Sequence, residues 1–186
     1  LDPSNTLYAF NGLLTGTFAP TGCRSSWCAR SPLTGIWGES NVGGHWGAEL
    51  RFAGYDGLVI EEGADKPVYL WVDGRSGAVE IRDAQHLWGL DQYDTHEKIR
   101  AETDGRAQIA SIGPAGENLV RFASIMQGGA NHSRAAGRTG MGAVMGAKNL
   151  KAIAVRGKEK PQYPNLFAFR EHVKQMNSVI REKSEG

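Results

Sequence analysis

Glycine collects in two places along this 186-residue chain, and both places carry arginine. The first segment runs from Gly12 through Gly16, Gly22, Cys23 and Arg24 to Gly35, Gly38, Asn41, Gly43 and Gly44. The second runs from Gly128-Gly129 through Ala130, Asn131, His132, Ser133, Arg134, Ala135 and Ala136 to Gly137-Arg138, Gly140, Gly142 and Gly146, ending at Lys148-Asn149. Glycine reaches positive φ at little steric cost and lets another group lie against bare backbone. Successive N–H groups in such turns form anion-binding nests, and arginine adds a planar fork matched to phosphate or to the edge of a heteroaromatic ring. Hydroxyls at Thr15, Thr17, Thr21, Ser31, Thr34 and Ser40 supply further donors. The pattern suits a phosphorylated heterocycle, although composition alone leaves ordinary surface turns equally open.

Standard nucleotide motifs do not account for these segments. Gly137-x-x-Gly140-x-Gly142 runs in the opposite order to the dinucleotide fingerprint, and Gly142-x-x-x-Gly146-Ala147-Lys148-Asn149 misses the P-loop in spacing and in its final hydroxyl. A third turn, Gly113-Pro114-Ala115-Gly116-Glu117-Asn118, offers N–H groups too. Its own Glu117 already complements a helix dipole there, which favours a structural cap.

Between the glycine segments, apolar runs predict strands at Thr6–Phe10, Gly57–Glu61, Pro67–Val72, Ala78–Arg82, Gln108–Ile112 and Leu150–Arg156. Helices are expected at Trp46–Ala53, at Thr95–Thr103 with Asp94 as cap, at Glu117–Met126 and at Leu166–Lys183. Strands and helices are intermixed without a regular strand-helix-strand beat, so the fold class expected is α+β with mixed or antiparallel sheets. The polar, proline-bearing stretch Lys158–Pro164 marks a boundary near residue 157. Beyond it, Leu166, Phe169, Val173, Met176 and Ile180 repeat at helical spacing and need a partner surface. Leu1 at the start and an unfinished helical pattern at the end read as a segment of something longer.

Charge is nearly balanced, with 21 basic and 20 acidic residues and no long like-charge run, so neither a nucleic acid nor a membrane surface is expected as partner. No apolar run approaches the ~20 residues that span a bilayer. Cys23 and Cys28 are too few for a disulfide framework, which fits a cytoplasmic setting. Their Cys-x4-Cys spacing lacks the third and fourth cysteines of a plant-type cluster run. The five histidines form no metal-binding pair. His132, two residues before Arg134, is the one placed to meet a phosphate. Of the tryptophans, Trp37 between Gly35 and Gly38 is the better ligand neighbour, with core packing the commoner fate.

Four segments together carry a resemblance. They are Ser31-Pro32-Leu33-Thr34-Gly35, then Gly43-Gly44-His45-Trp46-Gly47-Ala48-Glu49-Leu50-Arg51-Phe52-Ala53-Gly54-Tyr55-Asp56, then Ile112 through Val120, and Arg134-Ala135-Ala136-Gly137-Arg138 through Lys148-Asn149-Leu150-Lys151-Ala152-Ile153. In this order they resemble the N-terminal domain of the aldehyde ferredoxin oxidoreductase family, over about residues 1–157. The resemblance implies two sheet-containing halves related by a pseudo-twofold, forming a floor under a tungsten or molybdenum atom bound by two pterins. Arg24 and Arg134 match the two pterin-contacting arginines. Asn41 and Ala135 match positions whose main-chain carbonyls hold a magnesium ion between the pterin phosphates. Gly43, Gly44, Gly137 and Arg138 fall in the same segments as expected cofactor contacts. Thr139 and Ala147 depart from the family, where glycine and serine are frequent, and the stretch Gly128–Ser133 is slightly long.

The resemblance also implies a [4Fe–4S] cluster and acid-base residues in later domains, outside this segment. Residues 1–157 are then a pterin-binding domain lacking its extreme N-terminus, and 158–186 a linker and the first helix of the next domain. The implied activity is oxidation of aldehydes to carboxylic acids, with electrons leaving through the cluster to ferredoxin or a similar carrier. Partners implied are the remaining domains, that carrier, and a possible homo-oligomer or electron-transfer subunits. The alternatives are an aromatic thioester or carboxylate reductase on the same scaffold, or a cofactor-binding or interaction module without activity.

Overall fold

The computed structural model describes residues 1–129 and 132–184; Ala130 and Asn131 of the second glycine segment lie outside the described residues. The first half of the chain makes a meander of β1 (Leu7–Asn11), β2 (Ser25–Arg30) and β3 (Trp37–Val42), then helix α1 (Trp46–Phe52), then β4 (Gly57–Ile60). These strands form a four-stranded antiparallel sheet in the order β3-β2-β1-β4. A hairpin follows, β5 (Val68–Asp73) and β6 (Ala78–Asp83), and then α2 (Gln92–Glu102). The last part contains β7 (Gln108–Ser111), the single turn α3 (Pro114–Glu117), β8 (Ile125–Gln127), β9 (Arg134–Ala136), α4 (Met141–Ala147), β10 (Leu150–Arg156) and α5 (Leu166–Ser184). The second sheet has the order β6-β5-β10-β7-β8-β9, mixed because β10 runs parallel to β5.

One unit occurs twice. In β1-β2-β3-α1-β4 and again in β7-β8-β9-α4-β10, three antiparallel strands lead into a seven-residue helix, and the fourth strand returns antiparallel beside the first. This is the relation expected of two pseudo-twofold halves. The α+β expectation holds with it.

Burial follows from the residue pattern. Along β3 the sequence Trp-Gly-Glu-Ser-Asn-Val alternates exposed and buried, so one face of the first sheet looks outward. By contrast, Leu150–Val155 of β10 is buried throughout, because core lies on both sides of that strand. Between the sheets, Leu7, Trp27, Trp46, Leu50, Ile125, Ile153 and Val155 pack with α1 and α4. On the other side, Tyr69, Trp71, Ile99, Ile109 and Ala154 pack with α2. Trp46 also donates its indole N–H to the Ile153 carbonyl at 3.0 Å, so its bulk is buried without an orphaned donor.

Several expectations need correction. The helix predicted at Glu117–Met126 is only the turn α3; Leu119 then adopts φ +57°, and Ile125–Gln127 is extended as β8. The helix predicted from Thr95 begins three residues earlier, because Asp91 and not Asp94 is the cap, accepting from the amides of Tyr93 and Asp94 at 2.8 and 3.0 Å. Helix α4 was unexpected. Its glycines serve packing, since a Cβ on Gly146 would sit 1.9 Å from the Gly116 carbonyl oxygen and one on Gly142 2.4 Å from that of Ser124. The rear of the second glycine segment is therefore a buried helix and not a ligand nest. Strands β2, β3, β8 and β9 were also unexpected.

Glu117 has a different task from a solvent-facing cap. Its carboxylate is buried against Lys151 Nζ and accepts from the Gly89 amide at 2.8 Å. Helix α5 has no buried residue; Phe167, Met176, Val179 and Ile180 are exposed, while Phe169 packs on Tyr163 and Tyr163 stacks on Phe18.

Candidate functional site

The two repeated units meet at their edge strands, β3 and β9. Serines of the first unit form the seam. Ser40 Oγ accepts from the Arg138 amide at 3.0 Å, and Ser31 Oγ donates to the Thr139 carbonyl at 2.9 Å. Gly38 is needed here, because a Cβ would come within 2.8 Å of the Thr139 Cβ. Ser31 and Ser40 are thus occupied by the protein itself. So are Thr15, which donates to the Arg24 carbonyl at 2.6 Å, and Thr17, which donates to that of Leu14 at 2.7 Å. These four hydroxyls, expected to face a ligand, hold backbone in place.

Beside the seam lies a cleft of about 420 Å³ that brings together Arg24, Gly43, Gly44 and Arg134. Arg24 lies in the turn entering β2 and donates from Nη1 to Asn41 Oδ1 at 2.9 Å. Asn41 Nδ2 in turn donates to Ser26 Oγ at 3.1 Å, and Ser26 Oγ donates to Glu39 Oε1 at 2.8 Å. Arg134 opens β9 and donates to the Ser133 carbonyl at 2.9 Å. Gly44 has φ +108°, a conformation for which a side chain would be strained. Ala135, Gly137 and Arg138 are exposed along β9 and just beyond it, outside the cleft lining.

Asn41 and Ala135 occupy the same place in the two units: each is the penultimate residue of the third strand, followed by one more strand residue and then glycine. Both strands are sheet edges, with one flank of backbone groups outside the ladder.

The charged side chains around the cleft are of one sign. Arg51, Arg75, Arg82 and Arg156 are each paired with a carboxylate. Among the described residues, Arg24, Arg134 and Arg138 have no carboxylate partner, as is also true of Arg30, Arg100, Arg121, Arg170 and Arg181, and the cleft gathers Arg24 and Arg134 with no carboxylate in its lining. Three exposed guanidinium groups without counter-charge can neutralise an anion through charge-assisted hydrogen bonds of about 1.5–3 kcal/mol each. No cluster of three His, Cys, Asp or Glu side chains suited to a metal ion occurs among the described residues.

Four cleft residues were not in the expected contact set. Thr21 (φ +59°), Cys23, His45 and His132 also line it. His132 was the one histidine with any expectation of meeting a phosphate, though a surface or packing role was the commoner reading, whereas His45 carried no signal beyond its position after Gly44. Gln127 was missed altogether. It is buried, its carboxamide has no partner among the described residues, and its Oε1 lies 3.8 Å from where a Gly44 Cβ would sit. Such an unpaired donor and acceptor beneath a cleft floor is costly unless something polar approaches it. Trp37 is not core: it is 63% exposed on the outer sheet face, 5.8 Å from the Tyr8 ring. Thr139, where the family often has glycine, has φ +60°. A larger, mostly apolar groove of about 680 Å³ between Phe18, Phe52 and Tyr163 is lined by Arg156 and Arg170 but also by Glu49 and Glu159, and contains none of Arg24, Arg134 and Arg138.

Comparison with known proteins gives concordant matches. The family model described as aldehyde ferredoxin oxidoreductase, N-terminal domain, matches residues 1–157. A tungsten-containing aldehyde ferredoxin oxidoreductase of Pyrococcus furiosus is 55% identical over 158 residues, covering 84% of this chain and 25% of that protein. The enzyme of the same description from Pyrococcus abyssi is 50% identical over 184 residues, 98% of this chain and 28% of that one. Among solved structures, the active site complex BamBC of benzoyl coenzyme A reductase with 1,5-dienoyl-CoA superposes with a TM-score of 0.93 at 39% identity, over 99% of this chain and 27% of that chain. The chain spans about a quarter of the length of the curated relatives it matches.

Proposed function

The chain belongs to the aldehyde ferredoxin oxidoreductase family through its N-terminal domain, and from that premise we propose that it holds the pterin cofactor of a tungsten, or molybdenum, oxidoreductase. The observation that carries this reading is the carboxylate-free cleft at the junction of the two repeated units, edged by Arg24 and Arg134 with Arg138 nearby. A cofactor with two similar phosphorylated halves calls for two similar half-sites, and the fold supplies one repeated unit on each side of a seam.

The residues present fit the group. Arg24 and Arg134 would contact the pterins, and Gly43, Gly44, Gly137 and Arg138 would let the ligand approach backbone, Arg138 adding positive charge. Asn41 and Ala135 offer main-chain carbonyls to magnesium, which favours oxygen ligands and shares them with phosphate and water. Their equivalence in the repeat and their edge-strand setting support that role. It also accounts for an alanine at a binding position, because the carbonyl needs no particular side chain. The unpaired Gln127 carboxamide below the floor is consistent with a polar ligand above it.

When bound, the metal-pterin group supplies two-electron oxidation of an aldehyde to a carboxylic acid. This chain's residues orient the group, neutralise its phosphates and exclude competing anions. A [4Fe–4S] cluster held by residues outside the segment would pass the electrons to ferredoxin or a similar carrier. Residues 1–157 constitute the cofactor domain, and 158–186 open the next one, a division supported by α5, which has no buried residue. Free Cys23 and Cys28 support a reducing, cytoplasmic setting. No helix among the described residues is long and apolar enough to cross a membrane.

A second reading has a specific observation behind it: the benzoyl coenzyme A reductase complex shares this fold across almost the whole chain. The same floor then serves a reductase acting on an aromatic thioester, with substrate choice made elsewhere in the parent protein. Metal and pterin content of the full-length protein tests the common part. Arg24→Ala and Arg134→Ala should each lower both contents, and full occupancy in the two variants would count against the assignment. Turnover of simple aldehydes against aromatic thioesters separates the two readings.

A further inference from the structure

Outside the cleft, α2 carries a polar stripe on its inner side. Gln92, His96 and Arg100 are spaced by four, so they lie on one face of the helix. A buried helix face is ordinarily apolar, and polar groups persist there only when they are bonded. Arg100 donates from Nε to the Ala107 carbonyl at 3.1 Å and from Nη2 to that of Gly128 at 2.9 Å. Gln92 Nε2 donates to Ser133 Oγ at 2.6 Å, and that hydroxyl donates to the Gly129 carbonyl at 2.6 Å. His96 is held to Ser111 through Nε2 at 2.9 Å, while its Nδ1 side faces Gly129, where a Cβ would come within 3.9 Å.

Arg100 and Gln92 thus bond to residues 128 and 133, while His96, whose Nδ1 has no partner among the described residues, packs beside Gly129 between them. Gly128 and Gly129 have φ +101° and +117°, and a Cβ on Gly128 would lie 2.3 Å from the His132 carbonyl oxygen, so the two ends of this segment are drawn together. The next residue is Arg134, whose guanidinium leans on the Ser133 carbonyl. We infer that Gln92 and Arg100, with His96 packed between them, form a positioning device for Arg134, their hydrogen bonds clamping both ends of the segment that presents this guanidinium to the cleft. The inference rests on the reading of the cleft as the cofactor site and adds residues to it that touch no ligand. Arg134 stands at an exposed sheet edge, and without the clamp its approach to an anion would have to be ordered at the moment of binding.

The test uses the full-length holoprotein and reads metal and pterin retained per chain during dialysis against a chelator. Ser133→Ala removes one hydroxyl and with it the Gln92 link, without opening the core. Loss of that network should speed cofactor release about five- to tenfold. Ser133→Thr, which keeps the hydroxyl, should restore retention. The Ser133→Ala/Arg134→Ala double variant should release no faster than Arg134→Ala, because the clamp acts through that arginine. Wild-type release from Ser133→Ala, failure of threonine to rescue, or additive effects in the double variant would overturn the inference while leaving the cleft reading intact. Wild-type release from Arg134→Ala would instead overturn the cleft reading, and the inference with it.

Discussion

Acid should loosen α2 and its neighbours well before the chain nears its unfolding limit, and His96 is the cause. Burial first, then the Arg100 and Lys151 charges, lower its pKa from 6.5 to about 4. A depressed folded-state value means that the unfolded or locally opened chain binds the proton more readily. The stabilisation is therefore complete above pH 6.5 and is lost as the pH falls toward 4. One pKa unit corresponds to about 1.4 kcal/mol, so the full loss is about 3 kcal/mol, of which about 2 kcal/mol is gone between pH 7 and pH 5. Amide hydrogen exchange of the full-length protein, corrected for the intrinsic pH dependence, measures this peptide by peptide. Peptides spanning residues 92–111 should lose protection about thirtyfold between pH 7 and pH 5, and His96→Gln should abolish most of that slope. An equal slope in the variant, or unchanged protection of these peptides at pH 5, would refute the assignment to His96.

Other expectations concern packing and access. Gly146→Ala drives a methyl into the Gly116 carbonyl and should cost about 1–3 kcal/mol or more, read as a lower thermal midpoint. Lys151→Met strands the buried Glu117 carboxylate, at a cost of about 3–5 kcal/mol, and Lys151→Met/Glu117→Leu should recover most of it; an equally unstable double variant would show that the pair is not the cause. Cys23 lines the cleft and is exposed, so bound cofactor should slow its alkylation, and equal labelling with and without cofactor would remove it from the site. Cys28 should react more slowly in both states, because burial and then Glu39 push its thiol pKa up.

What could be read from the residues depended on what holds each element. Leu150–Arg156 was legible to the residue because a strand covered on both faces is largely apolar, here interrupted only by the buried, paired Lys151 before Arg156. Strands β2 and β3 were hidden because their inward positions include Ser25, Gly38 and Ser40, small residues that also compose loops. Gly38 and Ser40 are small because the second unit presses against them, and Ser25 faces Gly47 of α1. Helix α4 disappeared into the glycine segment for a similar reason, since close contact with Gly116 of α3 and with the Ala123–Ser124 backbone demands glycine at helical spacing. The two arginine-bearing segments were visible as candidates, but their convergence was not, because it depends on β3 meeting β9. Gln127 and the α2 stripe left no local signature; their meaning lies in partners that are distant along the chain or absent from it.

The duplicated unit bears on how tightly a ligand can be held. Two half-sites on one rigid seam act as a bivalent receptor: once one end of a ligand is seated, the other end meets its half-site at an effective concentration set by the protein and not by the solution. Under the proposed reading, each arginine alone binds weakly, and the grip comes from simultaneous engagement. Removing either one should then shorten residence time far more than halving the contacts would suggest, and a ligand carrying only one of the two anionic ends should hardly bind.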